Sequence, residues 1–186
     1  SDNTDATFYA HTMTLRGVKT GLEYRYVLDN ESQGILMGEY LDDQKTDNGS
    51  PESSNDWGFT HDKWDRPNSD RYWLRMKADH AFSDYGLKGK LDIDFVSDQD
   101  YLLEFSGRKT GYDDTSGIYS KYFGRHIDGS DETVRMNRMN VSKTTEIFSL
   151  NTDVAWYDNV IARTQNEKDE TVKYLPRMQF GTTMLP

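Results

Sequence analysis

The chain reads as all-β: an antiparallel, up-and-down sheet with the composition of a transmembrane β-barrel. Three observations carry this. In Leu87–Phe95, Leu87, Leu91, Ile93 and Phe95 alternate with Lys88, Lys90, Asp92 and Asp94, and successive strand side chains leave opposite faces, so one face is oily and the other charged. Similar segments of about ten residues recur along the chain, separated by turn signals. The third is composition: 34% hydrophobic with a net charge of −10, yet 13% aromatic. Low hydrophobicity with high charge matches disorder, but disordered chains are poor in aromatics and lack sustained alternation. A sheet closed around an aqueous interior keeps half of every strand polar and satisfies all three.

Strands are expected at about 5–14, 19–29, 34–43, 70–82, 86–96, 139–148, 151–161 and 172–184. In the second, Leu22, Tyr24, Tyr26 and Leu28 alternate with Glu23, Arg25 and Val27. In the third, Leu36, Gly38 and Tyr40 oppose Met37 and Glu39. The fourth sets Tyr72, Leu74, Met76, Ala78 and Phe82 against Arg71, Arg75, Lys77 and Asp79, and a turn at Ser83–Gly86 joins it to the fifth as a hairpin. The sixth and seventh alternate least regularly. In the last, Val172, Tyr174, Met178 and Phe180 oppose Lys173, Arg177 and Gln179. No amphipathic helix of useful length is expected, although 118–123 reads as an additional strand that would flip the parity of every later one.

Connection lengths alternate. The joins at 44–69, 97–138 and 162–171 are long, whereas 30–33, 83–85 and 149–150 are short. Outer-membrane barrels show this asymmetry, with turns on one side and loops on the other. The chain has no cysteine, which removes disulfides and thiolate metal sites. It has no apolar run of the length a spanning helix needs, and its polar start at Ser1 reads as mature protein or as a piece of a longer one. The acidic balance argues against nucleic acid, whose phosphates need a basic footprint.

Chemical sites are sparse. His61-Asp62 could sketch a hydrolase, but no Gly-x-Ser-x-Gly elbow accompanies it. Asp92 and Asp94 share a face as paired carboxylates would, and Lys88 and Lys90 beside them make a ladder of ion pairs the plainer account. Asp113-Asp114 and Asp128–Glu132 lack the spacing of a calcium loop and read as solvated turns. Tyr24, Tyr26, Tyr40, Tyr72, Trp73, Tyr101, Trp156, Tyr157 and Tyr174 lie in or near strand ends, as in an aromatic girdle at headgroup level. No enzyme activity and no cofactor is expected.

Several segments resemble the LPS-assembly protein family, LptD, also called organic-solvent-tolerance protein OstA. Asp5-Ala6-Thr7 with Arg16-Gly17 resembles the opening of that family's barrel. Gly21-Leu22-Glu23-Tyr24-Arg25-Tyr26 and Gly38-Glu39-Tyr40-Leu41-Asp42-Asp43 resemble its next hairpin. Asp92–Tyr101 resembles a D-x-VSD-x-x-Y stretch, and Tyr174-Leu175-Pro176-Arg177-Met178 an LP-x-L strand. The resemblance implies a partial barrel domain over 1–186, with long loops at about 44–69 and 97–138, cut from a larger outer-membrane barrel of a Gram-negative bacterium. It implies lipopolysaccharide as cargo, an LptE-like lipoprotein plug in the lumen, and an LptA-like periplasmic bridge reached through a jelly-roll domain preceding Ser1. The family often carries a proline in an early strand at its lateral exit seam. Aligned on Asp5-Ala6-Thr7, that position here is Ala10, so the seam strand would open without that device.

The expected lipid-facing set is Leu74, Met76, Leu87, Leu91, Ile93 and Phe95. The expected lumen-facing set is Arg25, Arg71, Arg75, Lys77, Lys88, Lys90, Asp92 and Asp94, with Arg75 and Lys77 placed to greet glycolipid phosphates. The rival is a soluble antiparallel β-sheet domain that binds glycans through Trp and Tyr, its oily faces sealed against each other.

Overall fold

A computed structural model describes residues 3–47, 50–52, 66–171 and 176–182. Within them eight strands form one antiparallel sheet in chain order: β1 Thr4–Met13, β2 Gly17–Asp29, β3 Ser32–Asp42, β4 Asp70–Phe82, β5 Leu87–Val96, β6 Val134–Thr144, β7 Phe148–Asn159 and β8 Arg177–Thr182. The sheet is open, with β1 and β8 at its edges. The first five strands lie within a few residues of expectation because unbroken alternation specifies them. β6 begins at Val134 rather than 139, and the tight turn 145–147 falls inside the strand expected at 139–148. The expected 172–184 strand is seen as Arg177–Thr182; 172–175 and 183–186 lie outside the described residues, as does His61-Asp62.

Contrary to expectation, the chain contains helices. The β5–β6 connection holds α1, Tyr101–Glu104, and α2, Tyr112–Phe123; α3, Val160–Thr164, follows β7. The 118–123 segment is thus the end of a helix, and strand parity is unchanged. α2 buries Thr115 and Tyr119, four apart, with Tyr112 and Phe123 continuing the stripe. Asp113 and Asp114 occupy its first turn and Lys121 its last, as the helix dipole favours. It stops at Gly124, which is left-handed (φ +59°) and donates to Ser120 O at 3.0 Å.

Register separates the two faces. On one, Phe8, Leu22, Gly38, Leu74 and Phe95 lie in a row across β1–β5. A second row runs Tyr26, Gly34, Ala78, Leu91, Met139 and Val154 through β7. Phe8 is 72% exposed and Leu74 42%, and Leu91, Ile93 and Phe95 are only half-buried. The described residues contain one sheet, so no second sheet covers this bare face. The buried core lies on the other, charged face: Ile35, Met37, Leu41, Trp73 and Val96 from the strands pack with Tyr101, Leu102, Phe105 and Tyr119 from the β5–β6 insert.

The long joins, 43–69, 97–133 and 160–176, all leave one end of the sheet, and the joins at the other end are short. The long joins are knitted together. Gln44 N donates to Arg16 O at 2.7 Å, Arg66 pairs with Glu104 at 3.1 Å, and Arg163 donates to the carbonyls of Val96 and Ser97. The β1–β2 turn at this end needs its glycine: Gly17 has φ +119°, and a Cβ there would lie 2.4 Å from Asp42 O.

Candidate functional site

The charged face and its insert form a buried polar network. All eight residues expected to face a lumen lie on this one face. One row reads Asp5, Arg25, Ile35, Lys77, Asp92 and Arg138, and the next Thr7, Glu23, Met37, Arg75 and Asp94. The six apolar residues share the bare face, through the pairs Leu74↔Phe95, Met76↔Ile93, Ala78↔Leu91 and Phe82↔Leu87. Ala10 sits on edge strand β1, exposed and paired with Thr20.

Arg71 anchors the end nearest the long joins. It is fully buried, grips Asp98 in a fork at 2.8 and 2.9 Å, and reaches Glu104 at 2.5 Å and Asp43 at 3.4 Å. Bidentate guanidinium–carboxylate pairs are among the stronger polar contacts. Arg16 joins through Asp43 and Glu104. Burial alone would raise the Glu104 carboxyl, but Arg71, Arg16 and Arg66 outweigh it and hold the group at about 2.

Glu39 is the second node. It accepts from Tyr9 Oη at 2.6 Å, Thr110 Oγ1 at 2.7 Å and Tyr101 Oη at 3.1 Å, and pairs with Lys19 at 2.8 Å. Edge strand β1, strand β3 and the insert are thereby tied through one carboxylate. Asp94 is the third, taking Trp73 Nε1 at 2.7 Å and Arg135 Nε at 2.8 Å. Beyond Asp92↔Arg138 the β5–β6 ladder stops, and Asn137 Oδ1 accepts from Asp94 N at 2.9 Å in its place.

These positions explain the D-x-VSD-x-x-Y stretch. Asp94 holds Trp73 and Arg135, Val96 is core, Ser97 Oγ donates to Asp98 at 2.6 Å, Asp98 holds Arg71, and Tyr101 reaches Glu39. Asp94 thus ties β5 to β4 and β6, Ser97 orients Asp98, and Asp98 and Tyr101 fasten the insert to the sheet.

Several sequence expectations are corrected. Arg75 and Lys77, expected to greet phosphates, are buried and taken up by protein. Arg75 lies 3.8 Å over the Trp73 ring and donates to Thr110 O at 2.5 Å; Lys77 pairs with Asp92 at 3.1 Å. Lys88 and Lys90 do not pair with Asp92 and Asp94. Lys88 bonds Glu31, and Asp92 is held by Lys77 and Arg125. Trp73 and Tyr101 leave the aromatic girdle, being 1% and 0% exposed where the sheet and the insert pack together. The acidic loop pieces serve locally: Asp114 accepts from Thr110 N and Asp128 from Met136 N. Among the described residues no group of three metal-ligating side chains assembles.

Glu39, Asp98, Glu104, Arg16 and Arg135 are site residues that sequence patterning does not single out. Glu39, Arg16 and Asp98 lie within the family-like motifs, and for Glu39 charge at an inward strand position is the available signal. Arg135 is hidden by the expected start of β6 at 139.

A family model described as LptD, LPS transport system D, matches residues 69–184. The LPS-assembly protein LptD of Acidovorax sp. (strain JS42) is 30% identical over 136 residues, covering 73% of this chain and 14% of that protein. Its counterpart in Psychrobacter cryohalolentis is 28% identical over 131 residues, 68% of this chain and 11% of the relative. In Psychrobacter arcticus the figures are 28%, 68% and 12%. The chain thus spans about an eighth of these relatives' length.

Proposed function

The chain belongs to the LptD family, and from that premise we propose that it is a section of the outer-membrane barrel wall that inserts lipopolysaccharide into the outer leaflet. One observation supports this most. In-register apolar rows lie on a face with no second sheet over it among the described residues, while the charged face carries its own folded insert. A sandwich does the opposite, burying oily faces together and wetting the charged ones. β1–β7 are 10–13 residues long, enough to cross a bilayer when tilted. Hydrocarbon would cover the bare face, and the network would line the aqueous interior.

In this reading the insert is a fixed wall lining, not a catalyst, and no chemical step is proposed. The cargo is lipopolysaccharide; an LptE-like lipoprotein and an LptA-like periplasmic bridge are the protein partners. Depleting the gene product in its own cells should lower surface lipopolysaccharide while the glycolipid accumulates inside the outer membrane. Unchanged surface lipopolysaccharide would overturn the proposal.

A further inference from the structure

With Arg75 and Lys77 occupied, the cations open to a ligand lie elsewhere. A cavity of about 570 Å³ lies between edge strand β1, its neighbour β2 and the insert at 108–110, within the range of small-ligand sites. Its charged lining is Lys19, Arg25, Arg108 and Lys109 against Asp5 and Glu23, a cationic excess in a chain of net charge −10. Lys19 is held by Glu39 and Arg25 by Glu23. Arg108 and Lys109 are exposed, and no ion pair to either is found among the described residues; Arg108 rests 5.9 Å over the Phe105 ring. Tyr9 and Thr110, both bonded to Glu39, also line the cavity, so the Arg108-Lys109 pair is anchored at its C-terminal side.

We propose that this cavity is a station for a phosphorylated sugar headgroup of an anionic glycolipid, with Arg108 and Lys109 engaging the phosphate and Arg25 beside it. The proposal rests on the export reading and deepens it by naming which residues meet the cargo. Two donors on a loop tied at Thr110 suit a phosphate monoester: the guanidinium forks two oxygens while the ammonium supplies a point charge. Asp5, one row from Thr7 on the same strand face, opposes the anion and limits its residence.

The test uses the native gene product in detergent micelles and fluorescent bisphosphorylated lipid A, with its phosphate-free form as control. R108A/K109A should weaken bisphosphorylated lipid A roughly tenfold, the effect of losing one to two charge-assisted contacts, and leave the phosphate-free lipid unchanged. D5N should change affinity in the opposite direction, tightening the phosphorylated lipid, and added salt should narrow both differences. Glucosamine 1-phosphate should displace the lipid from wild type more readily than inorganic phosphate does; equal displacement would overturn the sugar component. Equal binding of the phosphorylated lipid by wild type and R108A/K109A would overturn the station while leaving the export reading standing. Failure of both lipids to bind wild type would overturn both.

Discussion

Replacing Arg71 with methionine asks whether the ion cluster fastens the insert to the sheet. Arg71 is 0% exposed and touches Asp98, Glu104 and Asp43. Without it three carboxylates face one another out of water, and breaking a buried pair by removing one partner costs about 3–5 kcal/mol. Glu104 provides an independent figure. A carboxyl held at about 2 rather than 4.5 contributes about 3 kcal/mol at neutral pH. Arg16 and Arg66 keep part of that in the variant, so the expected loss is about 2–4 kcal/mol. It should appear as local opening of the insert rather than as loss of the ladders, since Asp98 and Glu104 tie the start of the insert and α1 to the sheet through Arg71, and α2 is carried on the same insert. Hydrogen exchange of the α2 amides, followed by mass spectrometry on the native gene product, reads this directly. A loss of 3 kcal/mol corresponds to roughly a hundredfold faster exchange. Adding Glu104→Gln to Arg71→Met should recover part of the loss. If α2 amides in Arg71→Met exchange within about threefold of wild type, a surface-like effect, the cluster is not what holds the insert.

Acid should act on the same contacts. The folded-state carboxyl of Glu104 is depressed, so its contribution is complete above 4.5 and is lost as pH falls toward about 2; α2 exchange, corrected for intrinsic rates, should accelerate across that window, less steeply in Glu104→Gln. On the bare face, Leu74→Arg should cost about 2–4 kcal/mol if Leu74 lies near a bilayer midplane, reducing the heat-modifiable folded band from outer-membrane fractions. Unaltered assembly would favour the soluble-sheet alternative. Gly21→Val should expel the Tyr9 ring, whose Cζ lies 2.1 Å from where a Cβ would stand, breaking the Tyr9–Glu39 bond at about 1–3 kcal/mol. A urea midpoint equal to wild type would contradict that, and a second change, Tyr9→Ala, should relieve it.

How much is readable depends on how local each signal is. β1–β5 are visible because five segments alternate without interruption and the turns between most of them are short. The two faces follow directly, since a one-residue slip would invert every side chain. β6 is harder to place because Arg135 and Asn137 both enter the buried network while Arg138, the next residue, pairs with Asp153; that break in alternation imitates a loop. α2 is obscured because its stripe uses Thr115 among weak helix formers such as Gly117, and its true markers, the Asp113-Asp114 start and the Gly124 stop, resemble turn chemistry. Network partners lie far apart in the chain, Tyr9 and Thr110 by 101 residues, and no local pattern pairs them.

By itself the sequence determined that each strand has an apolar and a charged side, because period-two geometry assigns every side chain a face from its neighbours alone. Only the tertiary structure decided that the charged side is the buried one. Alternation is blind to what covers a face, and here the cover is the β5–β6 insert, whose Glu104, Thr110 and Tyr101 complete ion pairs and hydrogen bonds that the strands leave open. It also decided which cations remain available: Arg75 and Lys77 are enclosed by partners distant in the chain, and Arg108 and Lys109 stand at a cavity.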